Sequence, residues 1–174
     1  MDIAIVPVPV RAYAWLFGLA FGPIVLTMIV LRLFNPGLSV GVLATVAAVV
    51  LVVGLGIGWS MGGNRMHAAS GHVILHASRL YRLEKPLARI DWSKARVGDL
   101  AQMSDIRTTV RTNGIGLPSY SAGWFRLANG GKAMLMVTDA SRVIVLPFVD
   151  GETLIASVED PDTALAQLRA AAAP

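Results

Sequence analysis

Residues 12–31 and 38–59 are two apolar runs of 20 and 22 residues, neither containing a charged side chain. Only Arg32-Leu33-Phe34-Asn35-Pro36-Gly37 separates them. A helix rises ~1.5 Å per residue and a hydrocarbon core is ~30 Å thick, so each run is about long enough to cross a bilayer. The expected architecture is a transmembrane helical hairpin within residues 1–63, with helices at about 12–33 and 38–60, followed by a domain at 64–174. A cleaved signal peptide fits poorly. Its apolar core would be shorter, roughly 7–15 residues. In this chain Asp2 offsets Arg11, and Leu31-Arg32-Leu33-Phe34 lacks the small residues of a cleavage site.

Charged residues are 15% of the chain, against roughly 25% in soluble domains. The deficit is local, since residues 12–59 hold only Arg32. Arg65 to Arg96 carries seven basic and two acidic residues, whereas Val97 onward carries six basic and eight acidic. Lys and Arg near membrane ends stay on the cytoplasmic side. This asymmetry predicts a multi-pass membrane protein with both termini cytoplasmic, and Tyr13, Trp15, Phe34 and Trp59 near the interfaces. The chain has no cysteine, so disulfides and thiolate metal sites are excluded.

Helices in lipid associate through close backbone approach at small residues. Gly54, Gly58 and Gly62 in the second helix, and Gly18 and Gly22 in the first, are the candidate packing positions. They would join the hairpin to itself or drive self-association. Neither run carries Asp, Glu, Lys or His, the groups a transport path needs at depth.

Beyond Met61-Gly62-Gly63-Asn64 the periodicity changes to that of short strands. Val73–Leu75, Leu80–Leu83, Gly123–Leu127, Lys132–Thr138, Arg142–Pro147 and Thr153–Ser157 read as strands, with weaker candidates at Ala88–Asp91 and Ala95–Val97. Ala128-Asn129-Gly130-Gly131 reads as a hairpin turn. Asp160-Pro161-Asp162 reads as the cap and first turn of a closing helix whose apolar face holds Ala164, Leu165 and Leu168.

Arg111-Thr112-Asn113-Gly114-Ile115-Gly116-Leu117-Pro118-Ser119-Tyr120-Ser121-Ala122-Gly123-Trp124-Phe125 resembles a bacterial pleckstrin-homology-like (PH-like) domain family. So do Met136-Val137-Thr138-Asp139 and Ser157-Val158-Glu159-Asp160-Pro161, the resemblance covering residues 72–169. It implies an α+β membrane protein: the helical hairpin, then a PH-like antiparallel β-roll of about seven strands with a C-terminal capping helix. It brings no catalytic residues and no cofactor.

Several constellations can be weighed against that frame. His67, His72 and His76 lack a nearby carboxylate and read as surface or interfacial histidines near anionic lipid, not as metal ligands. Gly114-x-Gly116 is followed by Pro118 and a strand pattern, and a phosphate-cradling loop would open a helix. No nucleophile elbow or paired-carboxylate pattern is present, so no enzyme activity is expected. Nucleic acid is disfavoured because aromatic residues do not interleave with the basic ones.

The expected function is a membrane-anchored binding or scaffold module for a protein partner or a homo-oligomer. Its candidate contact loop is Arg111, Gly114, Gly116, Pro118, Tyr120 and Trp124, with Tyr120 and Trp124 exposed. The alternatives are an anionic-phospholipid sensor using Arg79, Arg82, Lys85, Lys94 and Arg96, or an accessory subunit of a membrane complex.

Overall fold

The computed structural model describes residues 1–34 and 39–172. The hinge expected at Asn35-Pro36-Gly37 and the expected helix start at Leu38 lie outside them. Helix α1 is Val10–Phe34 and α2 is Val40–Met61, with mean hydropathy 2.2 and 2.7 over an 18-residue stretch of each, and each is long and apolar enough to cross a membrane. Ser39 caps α2 by accepting a hydrogen bond from the Gly41 amide.

The two helices meet bulky side against small side. A Cβ at Gly54 would touch Phe21 and Phe17, and one at Gly58 would touch Leu16 and Tyr13. Gly62 lies beside the Tyr13 hydroxyl. The expectation that Gly18 and Gly22 share this interface is corrected, because a Cβ at either meets nothing within 4 Å among the described residues. Aromatic side chains from α1 fill the groove left by glycines on α2, so only one helix needs the small residues.

Two sheets form the β-domain. The first is antiparallel, with β1 (Asp2–Ile3), β2 (Arg65–Ala69), β3 (His72–Ala77) and β4 (Tyr81–Pro86) in that spatial order. The second contains β5 (Arg96–Gly98), β6 (Thr108–Leu117), β7 (Tyr120–Leu127), β8 (Lys132–Val137), β9 (Val143–Pro147) and β10 (Glu152–Ser157). Its order is β5-β9-β10-β8-β7-β6. The expected roll is antiparallel throughout except at one place, where β10 inserts beside β8 and runs parallel to it.

Strands β8, β9 and β10 read as continuous apolar runs because both of their faces are covered. One face sends Met134, Met136, Ile144, Leu146 and Leu154 into the main core with Val73, Leu75 and Leu83 of the first sheet. Helix α3 (Pro161–Ala172) closes that core with Ala164, Leu165 and Leu168. The other face packs Leu135, Val143, Val145 and Ile155 with Phe125, Leu127 and Ile106. The capping read from the sequence is present, since the Asp160 carboxylate accepts from the Thr163 amide.

Besides β2, which the sequence reading does not include, three elements differ from it. Strand β6 occupies the stretch read as a loop, because Thr, Asn and Gly conceal its alternation. Thr109 and Thr112 hydroxyls donate across to the carbonyls of Arg126 and Trp124. In the weak strand candidate at Ala88–Asp91, Ala88 and Arg89 belong to a 3₁₀ turn at Leu87–Arg89, and Ile90 alone makes an antiparallel bridge, to Phe148. Finally, the first residues form a strap across the β-domain. Ile3 pairs with Met66, Ile5 bridges Val158, the Val6 amide donates to Ser157 O, and the Glu159 amide donates to Ala4 O. Thr138 donates its hydroxyl to Val6 O at 2.8 Å.

Candidate functional site

The expected contact loop is a β-hairpin. Gly114 and Gly123 face each other in register, and a Cβ on either would fall 2.5 Å from a backbone oxygen of the opposite strand. Strands β6 and β7 therefore approach closely only because both positions lack a side chain. Arg111 lies along the outer strand, its guanidinium passing over Gly116, with Pro118 exposed at the turn. Trp124 is half-buried, with the Lys132 ammonium 3.8 Å from its ring centroid.

Tyr120 departs from the expectation. It is a core residue with 1% of its surface exposed, so it cannot serve as an exposed contact. Its hydroxyl sits 3.4 Å from both Met61 O and the Asn64 side-chain oxygen, beneath the end of α2. Burial pushes its phenol up from the ordinary value, more than the Asn64 hydrogen bond pulls it down. Asn64 links the parts there, accepting from the Ser78 amide at 2.6 Å and donating to Met61 O at 2.8 Å.

The five basic residues expected to face lipid do not act as a set. Arg82 pairs with Glu84, Lys85 with Asp150 and Glu152, Lys94 with Asp91, and Arg96 with Asp105. A cation already held by a carboxylate offers less to a headgroup. Arg79 alone of the five has no carboxylate within 4 Å among the described residues.

The Lys85 pair has a structural consequence, because it ties β4 of the first sheet to the β9–β10 turn of the second. The Lys85 hydrogen bond holds the Asp150 carboxyl below its usual value, and Asp150 raises Lys85 in turn. Lys85→Met is expected to cost about 1 kcal/mol at neutral pH. A depressed carboxyl stabilises the fold above its unfolded pKa of about 4, and loses that contribution as pH falls through the lower folded value. The melting difference between the two proteins should therefore close as the solution is acidified; a difference independent of pH would contradict the pairing.

A different basic group gathers at the foot of α2. In register across the first sheet, Arg65 of β2 faces His76 of β3, which faces Arg82 of β4. His67 lies diagonally next to His76, the rings stacked with centroids 6.3 Å apart. Arg79, in the turn between β3 and β4, reaches back to the helix. Its amide donates to Ser60 O at 2.9 Å, its guanidinium donates to Trp59 O, and that group stacks over the Trp59 ring at 4.2 Å. A Cβ at Gly63 would overlap Arg79, so glycine there lets the turn close on the helix end.

These side chains line a cleft of about 340 Å³ formed by Gly62, Gly63, Arg65, His67, His76 and Arg79. Burial lowers the His76 pKa, and the neighbouring Arg82, His67 and Arg65 lower it further. Arg65, like Arg79, has no carboxylate within 4 Å among the described residues. The sequence held a signal for this grouping. Ser70 and Gly71 both take positive φ in a two-residue turn. That turn sets Ala69 opposite His72, and hence Arg65 opposite His76. The register went unread because β2 itself was not recognised. No group of three or more potential metal ligands occurs among the described residues.

A family model described as Bacterial PH domain matches residues 72–172. No curated protein and no solved structure matches the chain.

Proposed function

Because the chain belongs to the bacterial PH-domain family, we propose that it is a non-catalytic, membrane-anchored binding and scaffold module. Its β-domain stands on the cytoplasmic face of the inner membrane and offers the free edge of β6 to a protein partner or to a second copy of the chain. The observation that carries this reading is the edge itself. Strand β6 runs ten residues, ends the sheet, and among the described residues pairs with β7 alone. Residues 109–113, Thr109 to Asn113, are exposed along it. An unpaired edge is a template on which an extended segment can add main-chain hydrogen bonds. Arg111 and exposed Val110 would give such a segment its side-chain contacts. PH-like domains are generally binding modules without chemistry of their own.

Two observations support the placement. The strap joins the segment before α1 to the same β-domain that follows α2, as expected when both lie on one side of the bilayer. The basic stretch from Arg65 to Arg96 favours the cytoplasmic side.

The test is native mass spectrometry of the full-length chain purified in gentle detergent, beside Val110→Lys and Arg111→Ala. Wild-type protein should carry a stoichiometric partner or a fixed number of copies. Either variant should weaken that association about tenfold with an unchanged melting temperature. Association untouched by both substitutions would remove β6 from the proposal.

A further inference from the structure

We propose that the cleft at the foot of α2 binds the phosphate of an anionic phospholipid headgroup, with Arg65 and Arg79 as its principal ligands and His67 and His76 as its wall. The site shares with the proposed function only the placement of the hairpin in a bilayer; it does not depend on β6 or on a protein partner.

Position is the first argument. The cleft opens where a 22-residue apolar helix ends, at Met61. Trp59, 68% exposed in the last turn of that helix, and Leu80, 63% exposed next to Arg79, flank it with apolar surface. Amphipathic Trp settles at the headgroup level of a bilayer. Phosphates occupy that same level, so the guanidinium stacked on Trp59 is presented to them.

Charge is the second argument. Four cationic or titratable groups converge here, and the two arginines that line the cleft have no carboxylate partner within 4 Å among the described residues. Elsewhere on the domain, by contrast, Lys85, Lys94 and Arg96 are each answered by an acid. Planar guanidinium forks match phosphate oxygens in pairs, and such charge-assisted bonds are about twice as strong as neutral ones.

Proton linkage is the third. His76 is surrounded by Arg65 and His67 on β2, Arg82 on β4 and the Arg79 turn, with Glu84 on β4 engaged by Arg82. Asp2 of β1 stands opposite His67. Burial and the cationic neighbours lower the His76 pKa. A bound phosphate opposes that field and favours protonation, so binding takes up a proton and tightens as the pH falls.

The experiment uses the full-length chain in nanodiscs and, after gentle extraction, native mass spectrometry of the lipid retained. Three bilayers are compared: phosphatidylcholine alone, phosphatidylcholine with phosphatidylglycerol, and phosphatidylcholine with phosphatidic acid. Wild-type chain should retain an anionic lipid over phosphatidylcholine, more so at pH 6 than at pH 8. Arg65→Gln with Arg79→Gln should lower that retention by about tenfold or more, since each removes a bond to a charged group. Lys94→Gln with Arg96→Gln removes the same net charge from paired positions and should change it little.

Equal loss in the two double variants would mean that charge alone attracts the lipid, and would overturn the site. So would an absence of preference for anionic lipid. Inorganic phosphate displacing the lipid at millimolar concentration, and binding the wild type alone, would assign the cleft to free phosphate and overturn the lipid. A chain that fails to enter nanodiscs at all would overturn the membrane placement, and with it both this site and the anchored module. Thermal melting confirms that each variant is folded, and both arginine side chains are exposed enough to be replaced without disturbing the core.

Discussion

Gly123→Ala is expected to destabilise the β-domain by about 3 kcal/mol or more, enough to abolish a marginal fold. Two costs coincide at this position. Its φ of +111° lies in the region that L side chains avoid. Its Cβ would also stand 2.5 Å from Asn113 O and 2.6 Å from Gly114 Cα, backbone atoms that cannot rotate away. Gly130 separates the two effects, because its φ is +82° but a Cβ added there would meet nothing within 4 Å among the described residues. Gly130→Ala should therefore cost only about 1–2 kcal/mol, the strain of the left-handed conformation alone. The measurement is thermal unfolding of both full-length variants in detergent, followed by tryptophan fluorescence, to which Trp124 beside Gly123 contributes. Equal shifts in the two variants would mean that β6 and β7 separate freely, and the edge proposed for binding would have no fixed position.

The second large effect concerns the strap. Ile3→Ala together with Val6→Ala is expected to cost about 3–5 kcal/mol by emptying two buried positions. Ile3 is 7% exposed and Val6 9% exposed, and Val6 both donates to Ser157 O and accepts from the Thr138 hydroxyl. The loss reaches beyond stability. Residues before α1 and after α2 hold one domain, so the domain has two mounts, and without the strap it is held only at the end of α2, by Gly62-Gly63 and the contacts of Asn64, Arg79 and Tyr120 with Trp59 to Met61. Hydrogen exchange should accelerate at β1 and β2, and limited proteolysis should open the chain before Val10. A variant whose exchange and melting match the wild type would show that the strap only lies against the domain.

How far each feature could be read from the chain depends on the distance between the residues that make it. The closing helix was readable because Asp160, Pro161 and Thr163 are neighbours, and its cap is a local hydrogen bond. The strands β8, β9 and β10 were readable because burial on both faces leaves continuous apolar runs. Strand β6 was not, since its threonines, Asn113 and two glycines suit a loop equally well until β7 supplies their partners. Tyr120 was misjudged for a related reason. An aromatic residue beside a glycine-rich turn reads as exposed, and only the return of the chain under α2 buries it.

Two uncharged runs long enough to cross a bilayer, the basic stretch that follows them and the motif of the PH-like family are properties of consecutive residues. For that reason the two membrane-length apolar helices, the β-rich stretch after them and the family follow from the chain as written. Pairing is another matter. Whether a lysine or arginine meets a carboxylate, whether a tyrosine meets solvent, and whether the first six residues meet strands more than sixty positions away are set by strand register and by the packing of two sheets. These are sums over long-range contacts that no local pattern encodes. Folding thus divided a basic stretch that looks uniform in the sequence into carboxylate-paired cations on the domain and, at the foot of α2, Arg65 and Arg79 without a carboxylate partner among the described residues.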